Sequence, residues 1–179
     1  MSWRQWLGLE SGPRSEGRGG SRDTASVREI ARQLEALPEQ QARFLAAFAY
    51  VLARVAHADL RFEEAETTEM ERAVGTLSEL SSDECILVVA IAKSQTTLLG
   101  GTENYVVTRQ FRELSDPAER AKLLGCLFAV AAADGTISPE ESAEIYAIGD
   151  ELGFKRSEVN AYRSRYRERL SEFQTKPGS

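Results

Sequence analysis

In "VAAADGTISPEESAEI", residues 130–145, Asp134, Gly135, Ile137 and Glu141 stand at the spacing of the second half of a calcium-binding EF-hand loop. That loop needs oxygen ligands at positions one, three and five, a Gly at six and a bidentate Glu at twelve. With Asp134 in fifth place, Val130 and Ala132 occupy the first and third, and neither carries a side-chain oxygen. Upstream, in "RVAHADLRFEEAE" at 54–66, Asp59 and Glu66 fit likewise, Val55 and His57 fill the early places and Leu60 replaces the Gly. Neither loop is a complete EF-hand.

Part of the pattern needs no metal. Ser138 and Glu141 form a capping box, which stabilises a helix start by about 1 kcal/mol. Pro139 in the first helical position and Glu140 near the positive end of the helix suit the same start, and Asp-Gly is good turn chemistry. The aspartates are different. Asp59 and Asp134 each follow a long apolar helix, whose negative end disfavours a carboxylate by about 0.3–1 kcal/mol. Each therefore calls for backbone amides, an arginine or a cation, and amide capping and cation binding both stand. A cation would take Asp59, Glu63 and Glu66 in the first corner and Asp134, Thr136, Ser138 and Glu141 in the second, with loop carbonyls and water. Hard oxygen donors suit calcium, magnesium or manganese, and so few fixed ligands imply a weak, hydrated site. The second corner is the better formed, because Leu60 and Glu63 stand in the first where the second has Gly135 and Ser138. His57 reads as a helix-face residue.

Other chemistry finds little support. The chain has one His and two Cys in 179 residues, which leaves no His-pair or closely spaced Cys motif for zinc or redox work. Cys85 and Cys126 lie in apolar runs and read as buried thiols. "GTLSEL" and "LLGGTEN" lack the spacing and Lys of a phosphate-binding loop. No enzyme is expected. A net charge of −6 disfavours non-specific nucleic-acid binding and favours cations or basic partners. The Arg-rich end, with Arg156, Arg163, Arg165, Arg167 and Arg169, reads as a solvated face. The rival to cation binding is an acidic protein–protein interaction module without metal, its corners receiving Arg or Lys and a groove between repeats receiving a partner helix.

Apolar residues recur at helical spacing almost throughout, so the expected fold is all-α, a bundle of seven to eight helices. Residues 1–25 read as a disordered leader, in which Trp3, Trp6, Leu7 and Leu9 could instead form a short amphipathic turn. Residues 26–172 form the helical domain and 173–179 a flexible tail. Helix starts are expected at Ser26, Pro38, Ser82, Asp116-Pro117, Ser138 and Ser157, with a stop at Gly153. "SSDECILVVAIAKSQTTLL" is apolar on nearly all sides and reads as the central helix. No apolar run approaches the ~20 residues that span a bilayer, and no secretory signal is read in the N-terminal segment; a cytoplasmic protein is expected.

The two corners belong to a longer internal match. "LARVAHADLRFEEAETTEM" overlays "LFAVAAADGTISPEESAEI" without a gap, pairing Asp59 with Asp134 and Glu66 with Glu141. Two repeats related by a pseudo-twofold axis are the expectation. At about residues 40–165, with "FAVAAADGTISPEE" the most specific part, the chain resembles the TerB, tellurite-resistance-type, family. The resemblance implies an acidic, all-helical, non-catalytic domain of tellurite and chemical-stress responses. It further implies metal ions bound at the inner face of the membrane, so a protein partner and a peripheral position there are expected too.

Overall fold

A computed structural model describes residues 2–7, 21–58, 66–94 and 102–174. They form α1 (Trp3–Trp6), α2 (Ser21–Glu35), α3 (Glu39–Ala56), α4 (Glu66–Leu77), α5 (Ser82–Ser94), α6 (Thr102–Leu114), α7 (Pro117–Ala131), α8 (Pro139–Leu152) and α9 (Arg156–Ser164). The protein is all-α, as the periodicity requires; α1 is the helix beyond the eight that the sequence suggests. Short 3₁₀ turns follow at Arg167–Arg169 and Ser171–Phe173.

Local sequence sets most helix ends. Asp116 accepts the Glu119 amide while Glu119 returns to the Asp116 amide, and Pro117 takes the first helical place. Gly153 ends α8 at φ +88°, a left-handed conformation that costs Gly no Cβ clash. The α5 cap is Ser81, one residue before the expected Ser82: its hydroxyl accepts the Glu84 amide, and Glu84 accepts the Ser81 amide. Pro38 is the N-cap of α3 rather than its first residue. The last helix breaks after Ser164, well before Phe173.

The centre of the bundle is α3, not α5. From Leu45 to Ala56 every residue of α3 is buried, whereas Ile86 of α5 is 53% exposed. Six alanines, Ala42, Ala46, Ala47, Ala49, Ala53 and Ala56, keep α3 slim, so α1, α2, α5, α6, α7 and α8 can all pack on it. On the far side, α4 packs on α5 and α7, and α9 on α7 and α8.

Within the expected leader, Trp3, Trp6 and Leu7 are buried and α1 lies on α3. The amphipathic turn thus touches the protein's own core helix, with Arg4 bridging to Glu35 and Arg43 lying 5.9 Å from the Trp6 ring centre. Two indoles bring large apolar areas for one helical turn, which composition alone underrates. Leu9 lies outside the described residues.

Candidate functional site: the acidic corner, a buried arginine and an open groove

The chain leaves α7 at Ala131 and must turn before α8 begins at Pro139. Gly135 makes that turn at φ +100°, and its amide donates to the Ala132 carbonyl at 3.0 Å. Asp134 Oδ1 accepts the Thr136 amide at 2.8 Å, a turn closed by its own side chain. Ser138 Oγ accepts the Glu141 amide at 3.1 Å, and Glu141 Oε2 accepts the Ser138 amide at 2.8 Å. This is the capping box read from the sequence.

The C-terminal segment holds the corner from outside. The Ile137 amide donates to the Arg169 carbonyl at 2.6 Å, and the Ser171 amide donates to the Ile137 carbonyl at 3.1 Å. This makes a one-residue parallel bridge between Ile137 and Leu170. Thr136 Oγ1 donates to Gln174 Oε1 at 2.8 Å, and Gln174 Nε2 donates to the Gly135 carbonyl at 3.0 Å. Arg169 Nη1 lies 3.6 Å from where a Cβ on Gly135 would stand. Asp134 is exposed and Glu141 buried. The sequence suggested no such clamp, because its strongest cue was the helical period of "YRSRYRERLSEF".

Asp134, Thr136, Ser138 and Glu141 are therefore neighbours, each with a bond inside the chain. Of the first corner, Asp59 and Glu63 lie outside the described residues, as does the side chain of Glu66, the first residue of α4. His57 ends α3, with Nε2 3.1 Å from the Ala92 carbonyl. Among the described residues no group of three His, Cys, Asp or Glu side chains is gathered to hold a metal ion. Cys85 and Cys126 are buried free thiols, as expected; burial, followed by the proximity of Cys85, pushes Cys126 up to about 12.

The strongest charged cluster lies elsewhere. Arg54, on α3, donates from Nε to Glu144 Oε1 at 2.6 Å and from Nη1 to Glu151 Oε2 at 2.6 Å. Nη1 also reaches Thr108 Oγ1 at 2.5 Å, so the guanidinium ties α3 to α6 and α8. Burial works against its charge. The hydrogen bond to Glu151 and the charges of Glu144 and Glu151 outweigh it and hold Arg54 above its usual range. One signal could have found it: Arg54 is the lone Lys, Arg, Asp or Glu in "FLAAFAYVLARVAHA", and a charge that cannot avoid burial must be paired.

Among the described residues a groove of ≈ 300 Å³ lies open between α4 and α7. Ala129, Ala132 and Ala133 lie along one side, Ala73, Thr76 and Leu77 along the other. Glu69, Arg72, Arg169 and Tyr166 complete it, and Tyr166 stacks on Phe128 with ring centres 5.9 Å apart.

No helix among the described residues is long and apolar enough to cross a membrane. No curated protein and no solved structure matches the chain. The family model of the tellurite resistance protein TerB matches residues 44–164, which takes in α3 through α9 from Phe44 onward. The chain belongs to the TerB family.

Proposed function

We propose that this tellurite-resistance-type domain is a non-catalytic stress-response module that docks proteins. One observation carries the reading: the side chains of the 134–141 corner that could hold a cation are engaged within the chain. Asp134 closes its own turn, Thr136 binds Gln174, and Ser138 and Glu141 cap α8 and each other. A calcium-like ion needs six to eight oxygens, and the corner's own bonds already occupy a lone pair on each of Asp134, Ser138 and Glu141 and fix their orientation. What the corner offers a partner is the exposed face of Asp134 and Glu140 on a backbone pinned by residues 169–174. Its partner groups would be Arg or Lys, and a position at the inner membrane face would come through a protein partner.

Weak cation binding is the second reading. It is favoured by the exposed Asp134 carboxylate beyond the negative end of α7, where one oxygen takes the Thr136 amide. Calcium, magnesium or manganese would then sit there largely hydrated, with Asp59, Glu63 and Glu66 as the corresponding set in the first corner. The pairing of corners is supported by helix contacts that fit two repeats: α4 packs on α7 as α8 packs on α3, and α5 on α3 as α9 on α7.

Titrating the three ions into the full chain separates the readings. Docking without metal predicts no saturable amide shifts at 134–141 and an unchanged melting temperature at millimolar ion. Saturable shifts there, abolished by Asp134→Ala, would replace it with the cation reading.

A further inference from the structure

We propose that the groove between α4 and α7 receives an acidic amphipathic helix of a partner protein. This rests on the docking reading and adds to the acidic corner a second surface of opposite charge.

The first argument is that an equivalent trough is already filled. The α3–α8 pair is covered by α6, which packs on both helices and buries Val107, Thr108 and Phe111. The α7–α4 pair is the matching one in the gap-free overlay of the sequence, and there no helix among the described residues fills the groove. In that overlay Tyr50 falls on Gly125 and Arg54 on Ala129. Arg54, which reaches α6 in the first trough through Thr108, is replaced by Ala129 on the groove floor, whereas at Gly125 the place of Tyr50 is taken by Tyr162 and Leu77, 3.7 and 4.0 Å from where a Cβ would stand. The space left is ≈ 300 Å³, enough for one or two guest side chains against an alanine floor, with Leu77 still 37% exposed beside it.

The second argument is charge. Arg72 and Arg169 line the groove against one carboxylate, Glu69, which Arg72 already holds at 2.8 Å. Among the described residues Arg169 has no carboxylate partner. A net positive groove on a chain of net charge −6 selects a guest that brings carboxylates beside its apolar stripe and repels a basic one. Helix-in-groove docking reads such a guest at i, i+3 or i+4 spacing.

The test places a photo-crosslinking amino acid at Thr76 of the full chain in its own cells, with the same residue at Ile86 as control. The captured segment should be acidic and apolar at helical spacing. Made as a synthetic peptide, it should shift the amides of Thr76, Leu77, Ala129 and Ala133, and bind on the order of tenfold more weakly to an Arg72→Glu/Arg169→Glu chain. The milder Arg72→Gln/Arg169→Gln chain serves if charge reversal disturbs the helical circular dichroism. A basic segment, an affinity indifferent to these charges, or no adduct specific to Thr76 overturns the proposal. Partner recovery that continues without a Thr76 adduct would remove the groove and leave docking standing, whereas ion-saturable shifts at 134–141 would remove docking itself.

Discussion

Replacing Arg54 by Met should be among the most damaging single changes in the bundle. The Arg54 side chain is 4% exposed, and its partners Glu144 and Glu151 are 27% and 16% exposed. Met fills much of the aliphatic volume, so the loss is electrostatic: two carboxylates on one face of α8 are left without their cation, and Thr108 keeps only its bond to the Asn104 carbonyl. Breaking a buried pair from one side costs about 3–5 kcal/mol. The partial exposure of Glu144 argues for the lower end, about 3 kcal/mol, because water can solvate part of the abandoned charge. In a chain of this size that lowers the melting temperature by roughly 6–12 °C. Urea unfolding followed by helical circular dichroism measures the change as a shifted midpoint at constant slope. The control is Arg54→Met with Glu144→Gln and Glu151→Met, which removes the stranded charges and should recover at least half of the loss. A single variant that loses less than about 1 kcal/mol would refute the reasoning, since an exposed pair costs no more than that. So would a triple variant no more stable than the single one.

Two further outcomes follow from packing and burial. A Cβ on Gly149 would stand 2.7 Å from Val159 Cγ2, so Gly149→Ala should cost about 1–3 kcal/mol by overpacking; adding Val159→Ala should return part of it in the same urea assay, and strict additivity would show that the α8–α9 contact is not the cause. Burial keeps the Cys126 thiol protonated, with its pKa up at about 12, so alkylation of the folded chain at pH 8 should proceed only as fast as the protein opens. The folded value lies above the unfolded one, so this stabilisation is complete below the ordinary thiol range and is lost as pH rises from about 8.5 towards 12. Mass-spectrometric labelling at residue resolution checks both, and fast labelling of Cys126 in native protein would contradict them.

What the sequence could disclose depended on how far the controlling contacts reach. The caps at Asp116 and Ser138 and the stop at Gly153 were legible, because each is settled by residues within a few positions along the chain. The cap of α5 slipped by one only because Ser81 and Ser82 are adjacent and equally able, and the reach of Glu84 decides between them. Centrality was harder. Counting apolar residues favoured α5, but the helix that can be surrounded is the one slim enough to be approached from all sides, and α3 owes that to its alanines. Arg54 lay in plain view as a lone charge, yet its partners Glu144 and Glu151 are 90 and 97 residues away, beyond any periodic pattern.

The same limit governed the candidate site. Spacing placed Asp134, Thr136, Ser138 and Glu141 in one corner, where they are. What it could not supply was the segment from Arg169 to Gln174, which reaches Ile137 through backbone bonds that carry no side-chain signature and Gly135 and Thr136 through the amide of Gln174, far along the chain. That segment changes the chemistry of the motif. An acidic turn left to itself can rearrange around a cation, whereas one whose Thr136 hydroxyl is oriented towards Gln174 and whose Gly135 carbonyl accepts from it has one lone pair fewer to give and a more fixed outline. Rigidity of that kind favours recognition by a folded partner over flexible wrapping around an ion. Gln174→Ala should therefore loosen the corner, raising hydrogen exchange at Thr136 and Ile137 while leaving the α8 cap at Ser138 protected. If exchange at Thr136 stays unchanged, the clamp does not shape the corner, and the case for a preformed docking surface there loses its support.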